Sequence, residues 1–166
     1  MPDHARANDP DRRRFLSNTS LAVYATIVAT AVIAGVDDVN PDWGAWQLLV
    51  TLVATLLVLF VAEVYSDVLG DPSPDTLRRR LARAINRRWA VLEPLIPLGI
   101  PLLIGGAGLI SVDAAVWAAL GVAVAFLAIW GGITARQRGR SWPRVAGAAL
   151  VSALIGVIII VLKAWH

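Results

Sequence analysis

Long runs of apolar residues alternate along the chain with short polar stretches, and the runs exceed what a strand or a half-buried soluble helix requires. They cover about 15–36, 44–69, 91–110, 112–133 and 145–162. A mostly apolar run of about 18 or more residues can cross the roughly 30 Å hydrocarbon core as a helix. Lipid offers no partner to an unpaired backbone group, so a crossing run is helical. The pattern predicts an all-α, polytopic membrane protein. Its membrane domain over 15–166 is a bundle of five transmembrane helices, preceded by a flexible cytoplasmic tail over 1–14. Trp43, Trp46, Trp89 and Trp142 stand near the ends of these runs, where an amphipathic ring prefers the headgroup level.

The pattern changes between the second and third runs. Ser73-Pro74-Asp75 reads as a helix start, with a serine cap, a proline in the first position and an acid in the first turn. Leu77, Leu81, Ile85 and Trp89 then recur every fourth residue, while Arg78, Arg79, Arg80, Arg83, Arg87 and Arg88 cover the rest. This predicts a basic amphipathic cytoplasmic helix over 74–90, suited to an anionic inner leaflet, with those six arginines at lipid headgroups.

Composition agrees with a bilayer location. Of 166 residues, 57% are apolar and 16% charged, against about 25% charged in a typical soluble domain. A soluble enzyme, a nucleic-acid-binding module and a disordered tail protein are thereby excluded. The formal net charge of +3 matters less than where the charge lies. Of the 15 basic residues, all but Lys163 fall in the tail, the 70–90 loop or the 134–144 loop. The opposite side receives Asp37, Asp38, Asp42 and Asp113. The positive-inside rule then predicts a multi-pass protein of the cell membrane, with a cytoplasmic N-terminus and an exported C-terminus. Arg12-Arg13-Arg14-Phe15-Leu16 looks like a twin-arginine export signal, but four further apolar runs favour a basic flank on an uncleaved first helix. There is no cysteine, and His4 and His166 lie at opposite ends, so no cofactor and no histidine-built metal site is implied.

Helices in lipid associate through close backbone approach and polar contacts. Small residues at four-residue spacing mark three such faces: Ala22, Thr26, Thr30 and Ala34; Ala115, Ala119 and Ala123; and Ala148, Ser152 and Gly156. Each is compatible with packing inside one bundle. Five short helices also leave room for one stripe to face a second copy, and a homodimer is expected. In the third run, Pro94 sits in the first turn at little cost, whereas Pro97 and Pro101 are expected to break the helix.

Three carboxylates fall within or beside the apolar runs. Glu63 lies about 10 Å of helix before Gly70, and Glu93 about 6 Å beyond Trp89. Glu63 and Asp67 share a helical face, with Tyr65 and Ser66 between them. An ionisable group in the hydrocarbon costs roughly 2.5–3.5 kcal/mol on insertion scales. The second and third helices are consecutive, so Glu63, Asp67 and Glu93, with Tyr65 and Ser66 beside them, are expected to form a proton- or cation-binding site. Two adjacent carboxylates would share a proton, or a hard cation would bridge them; which metal, if any, is left open. The competing arrangement has Asp67 and Glu93 reaching outward to Arg87, Arg88 or Arg136.

The segment Glu63-Val64-Tyr65-Ser66-Asp67 ending the second run, together with five runs and a charged cytoplasmic stretch, remotely resembles the vacuolar iron transporter family. That resemblance implies passage of divalent iron or manganese in exchange for protons. The chain departs from the family in having no acid in its first run and arginines over 71–90 where the family has metal-binding glutamates. A likeness covering more of the chain is to short five-helix bacterial integral membrane proteins of no assigned activity. These carry an acid or histidine two residues before the tyrosine of the second helix and a glutamate early in the third, matching Glu63, Tyr65 and Glu93.

Two functions follow as expectations. One is a transporter or channel for protons or small cations with Glu63 and Glu93 at its site. The other is a non-catalytic oligomeric scaffold or partner subunit, bound to anionic lipid through the arginine-rich helix. A transporter needs Glu63 free and reachable by water, whereas a scaffold has it tied to an arginine. No nucleophile–base or phosphotransfer pattern is present, so no enzymatic activity is expected.

Overall fold

The computed structural model describes residues 10–39, 43–137 and 142–165. These form α1 (Pro10–Val39), α2 (Ala45–Leu69), α3 (Leu77–Arg88), a 3-10 turn (Trp89–Leu92), α4 (Leu95–Gly106), α5 (Val112–Gln137) and α6 (Trp142–Ala164). There is no strand among the described residues. Three stretches are long and apolar enough to cross a membrane by themselves: Thr19–Val36, Ala45–Leu69 and Val112–Arg136. The segment Leu77–Leu92 and α4 qualify together as a pair bent by 51°, and α6 carries a shorter apolar stretch, Trp142–Ile158.

The bundle is built around α1. Half of its apolar window is buried, against 28% for α2 and 33% for α5, and it touches α2, the 3-10 turn, α5 and α6. Its small side chains make this possible. Ala22, Ala25, Thr26, Ala29 and Thr30 are fully buried, so neighbouring backbones come close without leaving voids. The buried hydroxyls need a partner. Thr26 donates to the Ala22 carbonyl at 2.7 Å and Thr30 to the Thr26 carbonyl at 2.6 Å, within the helix itself. Large apolar side chains instead cover the outside, with Val58, Ile96, Leu150 and Val151 all more than 60% exposed. Small residues inside and branched ones outside is the distribution expected of a surface facing hydrocarbon.

The other two small-residue stripes are also used within the chain. Ala115, Ala119 and Ala123 are fully buried. Gly156 packs so tightly that an added Cβ would lie 2.8 Å from Cγ2 of Val124 on α5. The stripes that prompted the expectation of a homodimer are therefore satisfied inside one copy.

The third run departs from expectation in where it breaks. The interruption is at Glu93–Pro94, not at Pro97 and Pro101. Pro94 brings no N–H to the Ala90 carbonyl, which takes the Glu93 N–H at 3.3 Å in a tighter turn. The helix resumes when Leu98 N–H donates to the Pro94 carbonyl at 3.1 Å. Pro97 falls in the first turn of α4, where an N–H has no intrahelical partner to lose. Pro101 is buried within α4, which continues through it. At its far end α4 stops in a Schellman motif. Gly108, at φ 76°, lets its own N–H reach the Gly105 carbonyl at 3.0 Å and the Leu109 N–H reach Ile104 at 3.2 Å. Ser111 then caps α5, its hydroxyl accepting the Ala114 N–H at 3.2 Å.

Two boundaries also shift. Helix α1 starts at Pro10, so residues 10–14 of the expected tail are helical, while residues 1–9 lie outside the described residues. Helix α3 starts at Leu77 rather than at residue 74. The Ser73 N–H donates to Asp71 Oδ1 at 3.0 Å, closing an Asx turn that holds residues 71–75 out of the helix.

Candidate functional site

Helix α3 folds back along the end of α2, and the charges on both sides of this corner meet in order. Glu63 and Asp67 lie one turn apart on α2. The last turn of α3 places Arg88 between them: Nη1 donates to Glu63 Oε2 at 3.0 Å and Nη2 to Asp67 Oδ1 at 2.8 Å. Arg87 Nη1 lies 3.4 Å from the other oxygen of Asp67. Further out, Arg83 Nη2 donates to Asp75 Oδ2 at 2.6 Å and to Ser73 Oγ at 2.9 Å, and lies 3.3 Å from Asp71 Oδ2. Arg80 donates to the backbone carbonyls of Asp75 at 3.2 Å and Asp71 at 3.3 Å. Arg79 reaches only to 4.0 Å from Asp75.

Arg88 is the innermost of these arginines. Its side chain is 22% exposed, and those of Glu63 and Asp67 are 26% and 13% exposed. A planar guanidinium presents parallel N–H groups, so one side chain can bridge two carboxylates a helical turn apart. Lysine, with a single point charge, matches that arrangement less well. Among the described residues the Nε of Arg88 is buried without a partner, so its hydrogen bonding runs through the terminal nitrogens. Asp71, outside the long apolar runs, is held below the usual carboxylate range. The Ser73 backbone N–H is the main cause, then the Ser73 hydroxyl, with the charges of Arg83 and Arg80 adding to it.

The expected three-carboxylate cluster is not what forms here. Glu63 and Asp67 are joined through Arg88. Glu93 is half-buried at the helix break, and its carboxylate has no hydrogen bond or ion pair among the described residues. No group of three acids, histidines or cysteines able to hold a metal exists among the described residues. Tyr65 and Ser66 are exposed, away from the carboxylate bridge. The cause lies in the fold-back of α3, which delivers an arginine to the space a second acid was expected to fill.

The six arginines assigned to lipid headgroups divide. Arg80, Arg83, Arg87 and Arg88 bind this chain's own carboxylates and carbonyls, while Arg78 has no ion pair among the described residues and Arg79 is 78% exposed. Sequence reasoning read Ser73 and Asp75 only as a helix start and left out Asp71, so it missed the part these three play in ordering the corner. The signal was available in Asp75–Arg79 at i,i+4 spacing and in Asp71 two residues before a serine.

At the opposite end α4 returns to the start of α2. An added Cβ on Gly105 would lie 3.1 Å from Cβ of Ala45 and 2.6 Å from Cβ of Ala115, and one on Gly99 would lie 3.4 Å from Cδ1 of Leu49. The chain from Arg88 to Gly105 thus runs antiparallel to α2 from Glu63 back to Ala45, about 18 residues or roughly 27 Å of helix. No protein-family model, curated protein or solved structure matches this chain.

Proposed function

We propose that this chain is a five-span membrane protein with a cytoplasmic N-terminus, acting as a non-catalytic scaffold or partner subunit that holds a basic corner against anionic lipid. The observation that carries this reading is the Arg88 bridge to Glu63 and Asp67. A carboxylate that couples transport must change protonation or ligation as it works. Glu63 is instead held by a permanently charged guanidinium, which suits a structural role.

Two observations support five spans. The 3-10 turn and α4 together match α2 over roughly 27 Å, close to a hydrocarbon thickness of about 30 Å. The 25 residues of α2 exceed the ~20 needed to cross, which supports a position for Glu63 and Asp67 at the cytoplasmic boundary rather than deep in the core. Arg78 and Arg79 then face the headgroups of the inner leaflet.

Reconstitution into liposomes tests the reading. Proton and divalent-cation flux should be indistinguishable from empty vesicles, and Glu63→Gln should lower stability. Pump-like or channel-like flux abolished by Glu63→Gln would restore the transport reading. A C-terminal reporter should be active only on the exported side; cytoplasmic activity would refute the orientation.

A further inference from the structure

The same corner has a second, uncharged side. Between α2 and α3 lies a groove of about 570 Å³ whose walls are Val61, Tyr65 and Leu69 on α2 and Leu77, Leu81 and Ile85 on α3, with Phe60, Val64 and Val68 at its base. The Tyr65 hydroxyl is the only polar side-chain group among them. Its rim is open, with Leu69 and Leu77 each 69% exposed, and its volume is that of a site for a single ligand. The α2 wall continues along the helix into the exposed apolar side chains Leu57 and Val58.

The groove has a polarity. Ile85 stands near the Arg88–Glu63 end of the corner, and Leu77 near the outer end, beside Asp71 and Asp75. Leu77, Leu81 and Ile85 form the row of α3 that lines the groove, and Arg78, spaced i, i+3, i+7 with Leu81 and Ile85, lies on the adjoining face next to the outer end of that row. Arg78 has no ion pair among the described residues, whereas Arg80, Arg83, Arg87 and Arg88 are engaged. An apolar slot with an available cation at its outer end is complementary to an amphiphile with an anionic head and a hydrocarbon tail.

We infer that the α2–α3 groove is a discrete site for one anionic phospholipid of the inner leaflet, with an acyl chain along Leu81, Ile85 and Val61 and the phosphate at Arg78. The inference rests on the proposed inner-leaflet placement of α3 and adds a stoichiometric site to it. Head-outward binding matches the orientation of a lipid in that leaflet, so occupancy requires no inversion. A second copy of the chain is the competing occupant, but an incoming apolar helix would leave the cation at the rim without a partner.

The test uses the full chain in nanodiscs of equal phosphatidylglycerol and phosphatidylcholine, followed by native mass spectrometry. The parent protein should retain one phospholipid per chain, enriched in phosphatidylglycerol. Leu81→Trp fills the slot from α3 and Val61→Trp from α2; each should lower retention about tenfold while insertion is unchanged. Arg78→Gln should keep a bound lipid but lose about fivefold of the anionic preference, the effect of about 1 kcal/mol per arginine near an anionic surface. Retention unaffected by both tryptophan variants overturns the site but leaves the anchoring reading standing if anionic preference persists. Absence of any anionic preference in the parent protein overturns both. A photo-crosslinker at position 81 that captures a second copy rather than lipid overturns the site in favour of a dimer contact.

Discussion

Replacing Arg88 by methionine removes the guanidinium that bridges Glu63 and Asp67 while keeping an apolar stem of similar length in place. Two charge-assisted hydrogen bonds, at 3.0 and 2.8 Å, are lost together. Hydrogen bonds to charged groups contribute about 1.5–3 kcal/mol each, and stranding the partner of a fully buried ion pair costs about 3–5 kcal/mol. Here the three side chains are 13–26% exposed, so water recovers part of that loss. The expected destabilisation is about 2–4 kcal/mol. Arg88→Lys should recover only part of it, because an ammonium does not reproduce the two-pronged geometry. Equilibrium unfolding in mixed micelles, followed by the fluorescence of the 7 tryptophans, measures it. A double-mutant cycle with Asp67→Asn should give a coupling of about 1–2 kcal/mol that persists at high salt, since partly buried pairs are weakly screened. Destabilisation below about 0.5 kcal/mol would show that the bridge does not hold the corner, and the structural role assigned to Glu63 would fall with it.

Glu93→Gln should leave stability unchanged or raise it by up to about 1 kcal/mol, because it discharges a half-buried group with no partner among the described residues; a larger loss in the same unfolding assay would refute this. Gly105→Ala should cost about 1–3 kcal/mol, since its Cβ would meet those of Ala115 and Ala45, whereas Gly99→Ala, with only ordinary contact to Leu49, should be tolerated. Asp71 has its folded-state pKa lowered, so its contribution to the corner is present above the unfolded value of about 3.9 and is lost as pH falls through the lower folded value. The Ser73 amide resonance should therefore titrate with a midpoint below about 3.9; a midpoint at or above that value would contradict the hydrogen bonding at this turn.

Much of the framework was legible without coordinates, for a simple reason. Apolar run length, tryptophan position and small-residue spacing are local properties, and each acts through the backbone hydrogen bonding or close approach of a single helix. Helices over Thr19–Val36, Ala45–Leu69 and Val112–Arg136, and buried faces at Ala22/Thr26/Thr30 and Ala115/Ala119/Ala123, follow from such patterns. The broken third run was half legible. Its prolines announced a break, but the break fell at Pro94, because the Ala90 carbonyl was closed by the tighter Glu93 turn. What only the tertiary structure decided is the partner of Glu63. Two carboxylates at i,i+4 serve equally well for a shared proton, a bound cation or one bridging arginine, and nothing on α2 distinguishes these. The choice depends on the register at which α3 folds back, which brings Arg88 from 25 residues away to within 3.0 Å of Glu63. That register is set by packing across the corner and by the Asp71–Ser73 turn, interactions that exist only once both helices are in place.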